Sequence, residues 1–317
     1  MTDRILCVTG ATGFIGRHLL RRIRTEQSIS LRCLMRDETP ACPGAVAVRG
    51  DLRDPRSLER LIVPGATVIN LAFLGEASAV ENSAAAAALA RACSVKGAAR
   101  LVHVSTATVA GRNPADVIDE SSPCMPATPY ERIKLDVERI LLDSAASTEV
   151  VALRPTAVFG EGGLNLLKLA RATASASALH RYLAACFHGR RPMNLVSADM
   201  VAGAIAFFAL DAGPCGREVF LVSEDDVPEN NYRHVEAALI RAFHMPDHPV
   251  PVVAAPAWMR RYLLRMCGRS NINTERRYSA RKLQALGFSK PVGFGPALEG
   301  YCRHLAGQFM ASGRVTG

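Results

Sequence analysis

A short apolar run, Ile5 to Val8, breaks into Thr9-Gly10-Ala11-Thr12-Gly13-Phe14-Ile15-Gly16, and an amphipathic run then continues to Ile23. The pattern is strand, glycine turn, helix. Such a turn presents backbone N–H groups and a helix N-terminus, which suits a phosphate. Gly10 is expected to permit the tight turn, Gly13 to let a pyrophosphate approach, and Gly16 to let the helix lie close to the sheet. The spacing is G-x-x-G-x-x-G, and an ordinary turn is the plain alternative. On the nucleotide reading, Gly10, Thr12, Gly13, Phe14, Ile15 and Gly16 touch the bound molecule.

The rest of the chain alternates strands and helices. Apolar strand-length runs recur at Leu31–Met35, Ala45–Val48, Thr67–Ala72, Arg100–Val104 and Val150–Leu153. Helical patterns lie between them at Pro55–Ile62, Ala79–Lys96 and Pro129–Ser144. This predicts an α/β fold with a doubly wound, mostly parallel Rossmann sheet. After Gly160 the pattern loosens. Helices are expected at Leu164–Ala178, Ala198–Leu210, Tyr232–Phe243, Pro256–Cys267, Ala280–Ala285 and Pro296–Phe309, with strands at Met193–Val196 and Val219–Val222. The expected division is a dinucleotide-binding domain over 1–163, rejoined by 198–222. A smaller, mostly helical substrate cap takes 164–197 and 223–317.

Composition narrows the function. Hydrophobic residues make up 49% and charged residues 21%, which fits a globular core. No apolar run is long enough to span a membrane. The first strand starts almost at once, leaving no room for a signal peptide. The nine cysteines are scattered without a C-x-x-C. They read as reduced thiols of a cytoplasmic protein. The histidines have no ligand spacing, so no metal is expected. The net charge of +9 raises the question of nucleic acid, but aromatics are only 6% and the basic residues are dispersed. Arg17, Arg21, Arg22 and Arg24, and later Arg260, Arg261 and Arg265, read as solvated helix faces or as a general attraction for anionic substrates. The patch near Arg260 also suits an anionic membrane surface.

Arg36 lies twenty positions beyond Gly16, where a Rossmann chain reads the adenosine ribose. A guanidinium there pairs with a 2′-phosphate and favours NADP. Asp37 would instead serve the ribose hydroxyl of NAD, and a plain surface arginine is the structural alternative. Asp51 and Leu52 follow the third strand, where adenine would lie; Asp51 also suits the cap of the next helix. Leu71 and Ala72 close the fourth strand with small groups against the cofactor. Tyr130 and Lys134 share a helix face at i and i+4. An ammonium and a nicotinamide positive charge would lower the phenol pKa from its usual value near 10. Ser105 and Thr106 end a strand 24 residues before Tyr130. A hydroxyl there can hold the oxygen on which Tyr130 acts.

Together, Thr9 to Gly16, Asp51, Asn70-Leu71-Ala72, Ser105-Thr106, Tyr130-x-x-x-Lys134 and Leu153-Arg154-Pro155-Thr156-Ala157-Val158-Phe159-Gly160 resemble the extended branch of the short-chain dehydrogenase/reductase superfamily. That resemblance implies Thr106 as the catalytic hydroxyl, Tyr130 as the acid–base and Lys134 as the holder of the nicotinamide ribose. It also places Pro155 and Val158 beside the nicotinamide. The chain departs from the family in having Ala110 where a tyrosine is common, and Ser197-Ala198-Asp199 in place of Val-Asp-Asp. The segments around Gly160–Asn165, Asn194–Val201 and Tyr278–Phe288 are similar to sugar-nucleotide epimerases, dehydratases and 4-keto reductases of bacterial surface-polysaccharide biosynthesis. Ser105, Thr106, Asn165 and Arg191 are then the expected substrate contacts. Helix capping by Asn165 and a solvated Arg190-Arg191 pair are the alternatives.

The expected activity is NADP-preferring reduction of the C4 keto group of a nucleotide-linked deoxysugar. An NAD-dependent C4 epimerase is the runner-up. A small-carbonyl reductase and a noncatalytic NAD(P) sensor are further alternatives. A dehydratase fits less well, because Thr106 is followed by Ala107 and Thr108 rather than Asp-Glu. The resemblance also implies a homodimer through Ala79–Lys96 and Pro129–Ser144.

Overall fold

The computed structural model describes residues 4–24, 28–144, 148–266 and 273–311. The first half runs β1 (Arg4–Thr9), α1 (Phe14–Ile23), β2 (Ile29–Met35), β3 (Val46–Arg49), α2 (Pro55–Leu61), β4 (Thr67–Asn70), α3 (Ala79–Lys96) and β5 (Arg100–Val104). A 3-10 turn, Ala107–Ala110, follows. The chain continues through β6 (Val117–Ile118), α4 (Pro129–Ser144), β7 (Glu149–Pro155) and β8 (Ala157–Phe159). Next come α5 (Leu167–Ser175), α6 (Ala178–His188), β9 (Leu195–Ser197), α7 (Ala198–Ala206) and β10 (Arg217–Val222). The remaining elements are α8 (Tyr232–Ala242), α9 (Ala257–Met266), β11 (Arg277–Tyr278), α10 (Arg281–Ala285) and α11 (Phe294–Ala311).

Seven strands form one parallel sheet in the order β10-β7-β5-β4-β1-β2-β3. Strand order reverses between β1 and β4, the switch point at which open α/β sheets bind ligands. Both faces of a parallel sheet are covered, so its strands are apolar on both sides. Val8, Ile69, Val102 and Val104 pack towards α1 and α7. Cys7, Val68 and Leu101 pack towards α2, α3 and α4. The alanine run of α3 serves this second layer: Ala85, Ala86, Ala90 and Ala92 are buried. α3 is closed by a capping box, Ser78 with Glu81, and by Gly97 in the left-handed conformation.

The expected strands and helices of the first half are present with small shifts at their ends. β10 joins the main sheet beside β7, as its apolar run predicts. The helix expected over 164–178 is different. Leu166 has φ +67° and the Asn165 amide donates to the Val158 carbonyl, so α5 starts only at Leu167. The chain breaks at Ala176, and Ser177 caps a separate helix, α6, by accepting from His180 N–H. The helix expected over Ala198–Leu210 ends at Ala206 in one wider π turn, Phe207–Asp211. Cys267, the expected end of α9, lies outside the described residues. A third core holds the later elements together, with Leu239 and Phe243 of α8 against Leu298, Tyr301 and Leu305 of α11.

One buried ion pair ties α4 to the sheet. Arg154 on β7 donates through Nε and Nη2 to both carboxylate oxygens of Glu138, at 3.0 and 2.5 Å, and both side chains are buried. Removing one partner strands the other charge. Arg154→Met is expected to cost about 3–5 kcal/mol in urea denaturation. Arg154→Met combined with Glu138→Leu is expected to recover most of that loss.

Candidate active site

The glycine turn has the shape that its sequence predicts. Gly10 has φ +73°, and a Cβ there would stand 2.8 Å from Ala72 N. A Cβ on Gly16 would stand 2.3 Å from Ala11 O and 2.4 Å from Gly10 O. Gly16 therefore lets α1 close onto its own turn rather than onto the sheet. Gly13 caps α1 with no side-chain hydrogen bond, and the first turn of α1 holds no acid. The positive end of the helix is left without a protein anion, which fits a dinucleotide pyrophosphate.

Arg36 follows β2 and is exposed. It lines a cavity of about 630 Å³ with Arg49, Asp51 and Arg60. Three guanidiniums thus line this cavity, together with the carboxylates of Asp51 and Asp54. Arg60 is braced by donating to Arg49 O and Ser57 Oγ, at 3.2 and 3.1 Å. Asp51 does not cap α2; Asp54 does, by accepting from Arg56 N–H. Asp51 instead accepts from Arg53 N–H at 2.8 Å. Leu52 is buried near this cavity, while Leu71 and Ala72 are half-buried below the glycine turn.

A polar row crosses the carboxyl edge of the sheet. Thr9, Asn70 and His103 are direct cross-strand neighbours on β1, β4 and β5. Thr9 Oγ1 donates to Asn70 Oδ1 at 2.6 Å. The Asn70 amide then faces His103 Nδ1 at 3.0 Å, which makes Nδ1 the acceptor and puts the imidazole proton on Nε2. Burial, and then the Lys134 charge, push the His103 pKa well below its ordinary value, so the ring is neutral.

Lys134 is buried beside this row. Its ammonium donates to Val104 O at 2.9 Å and lies 5.0 Å from the centre of the Phe73 ring. Burial pushes its pKa down to about 8, partly opposed by Glu138 one turn further along α4. Tyr130, one turn earlier, is 49% exposed, with its ring edge-on to Phe73 at 5.6 Å. In the protein alone, burial and then the Glu131 carboxylate push the Tyr130 phenol above 10. The lowering expected from Lys134 is not found in the protein alone, where burial and Glu131 set the direction. Thr106 caps the 3-10 turn after β5, and its hydroxyl shares a 3.1 Å hydrogen bond with Thr108. Ser105 Oγ is buried with no partner among the described residues. Pro155 and Val158 are buried where β7 passes into β8.

In the later half, Asn165 caps no helix, because its amide is used on Val158 O. Arg191 is half-buried, not part of a solvated pair. Arg260 differs most from its expected surface position. It is 7% exposed and donates to Ala255 O and Glu275 Oε1, at 2.7 and 2.6 Å. Burial, followed by Arg191 and Arg260, pushes the nearby His188 down to about 4. Arg260 Nε and His188 Nδ1 are buried without hydrogen-bond partners among the described residues, and Arg191 lies close by. These groups form a second, basic cluster that suits an anion.

The model of the NAD dependent epimerase/dehydratase family matches residues 6–210. The chain belongs to this family. Family members are NAD(P)-dependent enzymes of the short-chain dehydrogenase/reductase type. The chain is 32% identical over 175 residues to a ceramide reductase of Caulobacter vibrioides, covering 52% of this chain and 50% of that one. It is 32% identical over 173 residues to a dTDP-4-dehydrorhamnose reductase of Mycobacterium tuberculosis, covering 50% and 51%. The chain thus spans about half the length of the curated relatives it matches. Among solved structures, Bordetella bronchiseptica WbmG, in complex with NAD and UDP, has a TM-score of 0.68 at 23% identity, covering 99% of this chain and 97% of that one. DesIV, a dTDP-glucose 4,6-dehydratase of Streptomyces venezuelae with NAD and TYD bound, has a TM-score of 0.68 at 20% identity, covering 97% and 98%. These last two likenesses establish the shared fold.

The buried lysine gives a pH test. Its pKa falls from an ordinary 10.5 to about 8 on folding, so between these values the unfolded chain holds the extra proton. The Lys134 contribution to stability therefore rises as pH goes from about 8 to 10.5. Lys134→Met should flatten that part of the stability–pH curve, measured by urea denaturation. Unchanged curvature would remove the buried ammonium from the account.

Proposed function

We propose that this family member is an NADP-preferring reductase of the C4 keto group of a nucleotide-linked deoxysugar, of the surface-polysaccharide type. The observation that carries the substrate class is the basic cluster of Arg191, Arg260 and His188. Arg260 Nε and His188 Nδ1 are buried without hydrogen-bond partners among the described residues, and a sugar nucleotide's diphosphate brings polar oxygens and negative charge to such a cluster. The reductase among the curated relatives, which matches about half of the chain, supports the same class of reaction.

When bound, the nicotinamide supplies the hydride. The glycine turn, through Gly10, Thr12, Gly13, Phe14, Ile15 and Gly16, holds the pyrophosphate. Asp51, Leu52, Leu71 and Ala72 border the adenosine. Arg36 meets the 2′-phosphate, with Arg49 and Arg60 adding positive field at the same cavity. Ser105, Pro155 and Val158 border the nicotinamide, where the unpartnered Ser105 hydroxyl finds an acceptor. Lys134 would hold the nicotinamide ribose, and its positive charge favours the phenolate left when Tyr130 gives up its proton. Thr106 donates to the substrate carbonyl and fixes its direction. Tyr130 gives the phenolic proton to the carbonyl oxygen as that oxygen gains charge. Asn165 and Arg191 position the nucleotide part. Val80 and Val95, exposed on α3 beside α4, support a homodimer through these two helices. A ceramide-like lipid carbonyl is the second reading, favoured by the exposed apolar side chains of the later helices and by the other curated relative.

Steady-state assays with NADPH and a dTDP-4-keto-deoxysugar test the activity directly. Turnover of a keto-ceramide with no turnover of the sugar nucleotide would move the second reading to first place. Tyr130→Phe is expected to keep NADPH affinity and lose about 10²–10⁴-fold in turnover. Arg36→Ala is expected to weaken NADPH by about 1.5–3 kcal/mol in a fluorescence titration, with little change for NADH. Equal losses for both cofactors would refute the 2′-phosphate assignment.

A further inference from the structure

Between Glu161 and Asp199 the chain has no acidic residue and five basic ones: Lys168, Arg171, Arg181, Arg190 and Arg191. Between Asp247 and Glu275 it again has no acid, and it has four arginines: Arg260, Arg261, Arg265 and Arg269. These two stretches hold the whole net charge of +9, and the remainder of the chain is formally neutral. The dispersion of charge along the sequence therefore conceals a strong asymmetry.

The two stretches meet in space. Tyr182 of α6 donates through its hydroxyl to Pro251 O at 3.3 Å, and Ala255 N–H donates to Cys186 O at 2.7 Å. This brings the start of α9 against α6. Both helices also expose apolar side chains at a spacing of four, which aligns them along one helix face. Leu179 and Leu183 are exposed on α6. Trp258, Tyr262 and Met266 are 70%, 60% and 71% exposed on α9, and Val253 is exposed just before it. Lys168, Arg171, Arg190 and Arg265 are exposed on the same two stretches.

We propose that this α6–α9 face docks on the surface of an anionic phospholipid bilayer. Trp258, Tyr262 and Met266 enter the boundary between headgroups and acyl chains, and the exposed Arg190, just past α6, and Arg265 of α9 meet lipid phosphates. A nucleic acid would satisfy the basic residues but offers no medium for Leu179, Leu183, Val253 and Met266. A bilayer supplies both phosphate and hydrocarbon. Attachment is peripheral: among the described residues no helix is long and apolar enough to cross a membrane. The proposal holds whichever carbonyl compound the enzyme reduces.

The chain contains a single tryptophan, and it is Trp258. Its emission therefore reports directly on this face. The full chain is mixed with vesicles of phosphatidylcholine, and with vesicles of equal parts phosphatidylcholine and phosphatidylglycerol, and then floated. The expected result is a blue shift and co-flotation with the anionic vesicles only, weakened by added salt. Arg190→Gln and Arg265→Gln should each lower vesicle partition about fivefold. Tyr262→Ser with Met266→Ser should lower it further while the melting temperature and NADPH affinity stay unchanged. No shift with anionic vesicles overturns the proposal. So does a shift produced by raising protein concentration without lipid, which would assign the face to a second copy of the chain. A shift with single-stranded RNA and none with vesicles overturns it as well.

Discussion

The Lys134 ammonium sits inside the protein, against the Val104 carbonyl and over the Phe73 ring. A buried charge is costly unless its surroundings are arranged around it. Here the arrangement occupies the switch point of the sheet. His103 is kept neutral, so it adds no second positive charge. Glu138 supplies an opposite charge one turn away, and Arg154 holds that carboxylate in place. Along one face of α4, Tyr130, Lys134 and Glu138 thus pass from solvent to core. The helix delivers a reactive phenol at its exposed end and anchors it at its buried end.

The Thr9-Asn70-His103 row gives this edge of the sheet its rigidity. Each hydrogen bond fixes the role of the next, from hydroxyl to amide to imidazole. The row starts at the residue before Gly10 and ends beside Lys134. It therefore links the glycine turn after β1 with the buried end of the Tyr130–Lys134 face of α4. Small movements of β1, β4 or β5 against one another would disturb both ends.

Charge is also divided between the two halves of the molecule. Arg36, Arg49 and Arg60 gather around one cavity beyond the ends of β2 and β3. Arg191, Arg260 and His188 gather in the later half, among helices with no acidic residue over long stretches. The excess of basic residues reaches the surface at Arg190, just past α6, and at Arg265 on α9.

The sheet was legible in the chain from local patterns alone. Strand and helix periodicity, the glycine turn, and the Tyr130 and Lys134 spacing are local properties, and they survive into the fold almost unchanged. Glu138 was within reach of the same reasoning, because it continues the i, i+4 face of α4. Other features depend on residues far apart in the chain. No local pattern pairs Thr9 with Asn70 and His103, since strand register sets those contacts. Asp51 lost the cap of α2 to Asp54, and Asn165 spent its amide on Val158 O, each through competition with a nearby partner. Arg260 looked like a surface arginine because helix spacing does not tell which face a later domain covers. Only the tertiary structure buried it beside Glu275 and Arg191, where its charge is desolvated and its free N–H is kept from water.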